Sequence, residues 1–288
     1  MVPTHGQTNE HPFSVSWRLI WWKGVTSASL GRASRCIIVD EKLKDPTVFD
    51  QGRSHRAKLG FVILATDRTS EADLLRMAPE GIGIHFSRIP MSGVITVDNL
   101  MLLNSAITQA AALILPDEGV DVMCFHCTAG SLLIGERNIM HALANAGNAR
   151  MCTTVLSAVM EAFKSLNITR FSLVTPYGQA ITSNLVEYFH DTGLSIPRLE
   201  CMDLSLDSDI ARVHPAYIES CAINADHPHS QALFISCTGL RSVELIATLE
   251  DRLGKPVITS TQAAMWHMLR MVGVYPCLAG YGLLFESR

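Results

Sequence analysis

Eight cysteines occur in this chain of 288 residues, and two of them share a setting in which a thiol can do chemistry. Cys127 ends the apolar run VDVMCFH and opens into TAG; Cys237 ends ALFIS and opens into TGL. Each therefore lies where a strand gives way to a turn, with a threonine next in line. A thiolate so placed can take a proton from carbon or add to an electrophilic carbon, while an opposed thiol delivers a proton to the other face. A helix starting beyond each strand would lower both thiol pKa values and make thiolate available near neutral pH. The free backbone N–H groups of such turns suit a carboxylate. Two thiols facing each other across a cleft fit racemisation beside a carboxylate, or cis–trans isomerisation of an unsaturated diacid. Neither reaction needs a metal or an organic cofactor, and the sequence carries no motif for one.

Other readings of the same residues stay open. Cys124 and Cys127 form a CxxC, the spacing of a dithiol redox site, although that reading leaves Cys237 without a role. Zinc would want a second CxxC or paired histidines, and His126, His141, His227 and His229 lack ligand spacing. Buried free cysteine is a common core residue, which is the reading for Cys36, Cys124, Cys152, Cys201, Cys221 and Cys277. A non-catalytic cleft that senses a small acid is the alternative outside enzymology.

The elements that must position the pair begin at Lys58. KLGFVILAT is a buried-strand run followed by DRTSEADLLRM, a helix with Thr69 as its cap and an acidic first turn. GIGIHFSRIP is a second strand, VDNLMLLNSAITQAAALI one long amphipathic helix, VDVMCFH a third strand, and SLLIGERNIMHALANAG a helix closing on glycine. The pattern then repeats: TRFSLVTPYG, QAITSNLVEYFHDTG, PRLECMDL, DSDIARVHPAYIESCAIN, QALFISCTG, RSVELIATLEDRLG, KPVITS and TQAAMWHMLRMVG. Strands alternating with helices predict parallel pairing with helices on both faces. Phe61 and Phe171 open the two passes, and Cys127 and Cys237 close their third strands. Both pairs are 110 positions apart (171 less 61, 237 less 127). After each third strand and its helix comes a short segment with small hydroxyl residues, Cys152-Thr153-Thr154 in one pass and Thr259-Ser260-Thr261 in the other. The reading is an internal duplication: residues 58–168, with a tail at about 270–288, as one α/β half, and 169–269 as the other.

Composition narrows the class. With 48% hydrophobic and 17% charged residues and a formal net charge of −4, the chain has the make-up of a packed enzyme, and no basic stripe for nucleic acid. No apolar run approaches a membrane span. The opening MVPTHGQTNEHPFSV is polar and lacks the apolar centre of a signal peptide, so the expected setting is a reducing cytoplasm with free thiols. Residues 1–57 show no sustained period and hold Trp17, Trp21 and Trp22; they read as an extension or an arm, and a homo-oligomer is left open.

CTAGSLLIG, VTPYG, FISCTGLRSVELIATLEDRLGKPVITSTQAAMWHMLR and GFVILATDRTSE resemble the aspartate/glutamate racemase superfamily. Within it they are similar to the branch of maleate cis–trans isomerase and arylmalonate decarboxylase, with the ATDRTSE and SRIP wording nearest to the ectoine-utilisation protein A group. The resemblance covers about Lys58 to Gly273. It implies two pseudo-symmetric flavodoxin-like halves, each a doubly wound parallel sheet, with the active site between them. It further implies Cys127 as nucleophile or base and Cys237 as proton donor. Thr128, Ala129, Thr238 and Gly239 would hold a substrate carboxylate, and Tyr177 would hydrogen-bond the substrate. Where the maleate isomerases usually carry a Ser-Asn-Thr stretch, this chain has Thr66-Asp67-Arg68-Thr69. Arg68 takes the asparagine place and could pair with an anionic group. The branch's decarboxylases keep only the second cysteine, so two cysteines favour a racemase or isomerase of a small carboxylate. Decarboxylation with Cys237 as sole proton donor is the alternative.

Overall fold

A computed structural model of the protein describes residues 49–286. The arm expected over 1–57 lies almost wholly outside the described residues. Within them, β1 (Ala57–Leu64), β2 (Ile82–Ile89), β3 (Val120–Phe125) and β4 (Ala149–Thr154) pair in parallel in the order β2-β1-β3-β4. β5 (Phe171–Tyr177), β6 (Leu199–Leu204), β7 (Ala232–Ile235) and β8 (Val257–Thr259) repeat that arrangement as β6-β5-β7-β8. The inner strands read as near-continuous apolar runs because helices cover both faces, and every residue of β5 is buried. In this topology strand order reverses between the first and third strand of each sheet. The crevice beyond their carboxyl ends is where such sheets hold ligands.

The helices are α1 (Ser70–Met77), α2 (Val97–Leu102), α3 (Ile107–Ala112), α4 (Thr128–Ile134), α5 (Glu136–Ala144), α6 (Val155–Ser165), α7 (Gln179–Asp191), α8 (Asp207–Ile210), α9 (Pro215–Ala225), α10 (Ile246–Leu253) and α11 (Ser260–Met271). Three expected continuous helices are interrupted. The one after β2 divides into α2 and α3 through a 3-10 turn at Leu103–Ala106, where the Ser105 hydroxyl donates to the Leu102 carbonyl. The one after β3 breaks at Gly135, whose φ of +85° only glycine adopts at little cost. The stretch after β6 divides into α8 and α9, with Pro215 opening the second.

Hydrogen bonding sets which residues of the two sheets correspond. His126 N donates to Val62 O and Ser236 N to Val174 O, so Val62 and Val174 are equivalent, 112 positions apart (174 less 62). The opening strand is thus offset by two more residues than the cysteines, and Phe61 matches Leu173 rather than Phe171. In the fourth strands Phe125 pairs with Thr154 and Ile235 with Thr259, and both threonines cap the helix that follows. Thr154 therefore matches Thr259, not Thr261. Two features join the sheets. α11 leaves β8 and packs along α6 and α1, reaching β3. An antiparallel bridge ties Val94 to Leu206, with Ile95 N donating to Ser205 O (2.8 Å) and Asp207 N to Gly93 O (3.0 Å).

Candidate active site

Cys127 leaves β3 in extended backbone (φ −149°, ψ 116°) and caps α4; its sulfur accepts the Gly130 N–H at 3.3 Å. Glycine is required there, because a Cβ on Gly130 would lie 2.9 Å from the Phe125 ring and 3.2 Å from the Cys127 sulfur. The Ser131 hydroxyl donates to the Cys127 carbonyl at 2.7 Å. Cys237 is built otherwise. Its φ is +99°, in the region that favours glycine, and its sulfur accepts the Gly239 N–H at 3.3 Å. No helix starts beside it: a turn and a 3-10 segment (Val243–Leu245) separate it from α10. The expectation of two helix-start cysteines therefore holds for Cys127 alone.

Both cysteines line one cleft of about 440 Å³, its open mouth included. Cys127 is 6% exposed and Cys237 7%, so each thiol is nearly enclosed yet reachable from that cleft. Thr66, Asp67, Arg68, Ala129, Tyr177, Asp207, Thr238 and Gly239 share the lining, and Leu64, Ile95, Leu100 and Ala211 give it an apolar wall. Thr128 is the predicted site residue absent from that lining. It is 1% exposed, and its hydroxyl donates to the Ser260 hydroxyl at 2.9 Å. The same Ser260 oxygen accepts the Cys237 N–H at 3.0 Å. Ser260 thus connects the loop after β3 to the loop after β7.

The thiols are not the ready thiolates that helix placement predicts. Burial pushes Cys237 up to about 12, with the Tyr177 hydroxyl and the Gly239 N–H pulling the other way. Burial raises Cys127 further, opposed by the Gly130 N–H, and charge on Asp207 or Cys237 adds to the rise. Desolvation in a low-dielectric cleft outweighs one N–H group or a short helix. Burial thus favours the neutral form of both thiols in the free protein.

The first loop also differs from its sequence reading. Asp67, not Thr69, caps α1: Asp67 Oδ1 accepts from Thr69 N (3.0 Å) and Ser70 N (2.9 Å), and Oδ2 accepts from the Ser70 hydroxyl (2.6 Å). The Thr69 hydroxyl instead donates across the cleft to Thr238 O at 2.8 Å. Arg88 of SRIP braces this loop, donating to the carbonyls of Ala65 (3.1 Å) and Asp67 (3.0 Å) and pairing with Glu71 (2.9 Å). In the sequence the two motifs stand apart with nothing to join them. Neither the link through Ser260 nor Asp207, which receives the Thr66 hydroxyl, is marked by a motif. Asp207 sits in a helix-like stretch with no motif around it, and only the fold returns it to the cleft. Cys124 is wholly buried, as its core reading requires.

Comparison with known proteins adds identity to this geometry. The family model described as arylmalonate decarboxylase matches residues 98–285. The chain belongs to that family. Its relatives in the family are enzymes. A maleate isomerase of Pseudomonas putida is 24% identical over 245 residues, covering 80% of this chain and 97% of that one. An arylmalonate decarboxylase of Bordetella bronchiseptica is 29% identical over 139 residues, 47% of this chain and 58% of the relative. Among solved structures, a cysteine-to-serine variant of Nocardia farcinica maleate cis–trans isomerase, carrying a covalently bound succinylcysteine intermediate, superposes with a TM-score of 0.74. It is 21% identical and covers 81% of this chain and 99% of that one. These likenesses bear out the two-sheet α/β fold and the branch that the motifs resemble. Among the described residues no helix is long and apolar enough to cross a membrane.

Proposed function

We propose that the protein is a cofactor-independent isomerase or racemase of a small carboxylic acid, working through Cys127 and Cys237. The observation that carries this reading is the presence of both thiols in one cleft, where ionisation of either bears on the other. In the racemase form, Cys127 first loses its proton to solvent; its thiolate takes the proton from the carbon beside the carboxylate, and Cys237 as thiol gives its proton to the opposite face. The enzyme is left with Cys127 protonated and Cys237 ionised, ready for the reverse direction. In the isomerase form, the Cys127 sulfur, likewise ionised first, adds to one alkene carbon while the Cys237 proton goes to the other. Rotation about the new single bond follows; Cys237 then recovers the proton and the carbon–sulfur bond breaks. The covalent succinylcysteine of the Nocardia farcinica relative supports the second form.

The backbone amides of Ala129, Thr238 and Gly239 are the groups we assign to the substrate carboxylate, with Tyr177 at the reacting centre and Arg68 at the mouth. Thr128 acts through Ser260 rather than on substrate. The likeness of ATDRTSE and SRIP to ectoine-utilisation protein A favours a diaminobutyrate derivative formed when ectoine is opened, in a cytoplasmic setting that keeps thiols free. The family's decarboxylase member favours a second reading, loss of CO₂ from a malonate-type acid with Cys237 alone as donor.

Incubation with candidate acids in D₂O tests the proposal. Deuterium entering beside the carboxylate is the racemase outcome, and interconversion of alkene geometry the isomerase outcome. Release of CO₂ supports the decarboxylase reading, and no change in any acid defeats all three.

A further inference from the structure

The reactive cleft holds two carboxylates, and they are not equivalent. Asp67 has both oxygens engaged by the N–H and hydroxyl groups that start α1, which accounts for it as a cap. Asp207 accepts the Thr66 hydroxyl on Oδ2 only; among the described residues nothing donates to its Oδ1. Burial raises the Asp207 carboxyl and the Asp67 charge adds to the rise, while the Thr66 hydroxyl and the Arg68 charge in the same lining oppose it. Ile95, Leu100 and Ala211 give the same cleft apolar lining beside these polar groups. An acidic residue opening a helix favours the N-terminal end of the helix dipole, and that alone would explain an aspartate here. It does not explain why one carboxylate oxygen is anchored by Thr66 of the first loop while the residue, partly open to solvent, lines the cleft that contains both thiols.

We infer that Asp207 selects the substrate, by accepting from an ammonium group at the end of the molecule remote from the reacting carboxylate. The substrate class is then an amino acid with a cationic end, and a diacid would bring a second negative charge against Asp207. A charged acceptor with one oxygen already anchored is pre-oriented for such a donor, and its hydrogen bond to a cation strengthens as water leaves the cleft. This rests on the cleft being the substrate site, as proposed above.

Calorimetric binding of 4-aminobutyrate, butyrate and succinate, three four-carbon acids that need no turnover, tests it. The native protein is expected to bind 4-aminobutyrate about tenfold more tightly than butyrate, and succinate more weakly than either. Asp207→Asn should remove the advantage of 4-aminobutyrate and raise relative affinity for succinate; Asp207→Ser should do the first. Succinate bound as tightly as 4-aminobutyrate by the native protein would overturn the inference, as would an unchanged order in either folded variant or no binding of any acid. The native comparison decides even where both variants fail to fold. Preference for 4-aminobutyrate without turnover of any acid would leave the role of Asp207 standing and remove the isomerase reading. Turnover of acids without that preference would do the reverse.

Discussion

The loops after β3 and β7 place sulfur at corresponding points of two sheets with one strand order, yet they hold it by different means. Cys127 sits in ordinary extended backbone and caps a helix, anchored by Ser131 and by a glycine that lets the Phe125 ring close in. Cys237 sits at φ +99°, a conformation that costs a non-glycine residue about 1 kcal/mol or more. What holds it there is an external partner, Ser260, supplied by the start of α11. The two sheets share the point at which the sulfur stands, but not the local backbone that delivers it. The polar surroundings diverged too: one N–H moderates Cys127, whereas an N–H and a tyrosine hydroxyl moderate Cys237.

The broadest way to break this comparison is to remove each sulfur in turn. Cys127→Ser and Cys237→Ser should each lower turnover by about a thousandfold or more, with circular dichroism unchanged. Tolerance of Cys127→Ser with CO₂ release would make the two loops unequal in chemistry as well as in shape. Next, Ser260→Ala removes the acceptor for Cys237 N and the partner of Thr128 together. Turnover should fall about tenfold with little change in KM, and Ser260→Thr should recover part of it.

Alkylation sharpens the contrast. Both thiols are raised above the ordinary value of 9.0 by burial, so their thiolates form only on the alkaline side. Labelling by iodoacetamide should be slow at pH 7 and rise steadily above pH 9, with peptide mapping finding Cys237 modified several-fold before Cys127. Tyr177→Phe should narrow that gap, since the hydroxyl is the leading group that favours Cys237 ionisation. The smallest effect is on stability. Cys237→Gly should be about 1 kcal/mol more stable to urea than Cys237→Ala, because only glycine accepts the local φ freely. At position 127, where φ is −149°, the order should reverse.

Much of this was legible in residue order. Apolar runs of strand length, separated by helix-length segments, specify two parallel sheets, and the shared Cys-Thr ends specify which loops meet. Two kinds of information were not local. The helix breaks at Leu103–Ala106 and Gly135 depend on one hydroxyl's bond and one glycine's φ, which an apolar period does not register. The partners of the cleft come from afar: Thr69 with Thr238, Thr66 with Asp207, Thr128 with Ser260, each pair more than 100 positions apart. The thiol pKa expectation failed for a related reason. Placement after a strand is readable, whereas the depth of burial that overrides it belongs to the assembled fold.

The bridge between Gly93–Ile95 and Ser205–Asp207 fastens two cleft-lining residues, Ile95 and Asp207, to each other's strands through main-chain hydrogen bonds. Those bonds fix the spacing of Ile95 and Asp207 by main chain, so no change of side-chain rotamer alters it. Any ligand of the cleft meets that part of the lining as a preset edge, whose shape is decided before the ligand arrives.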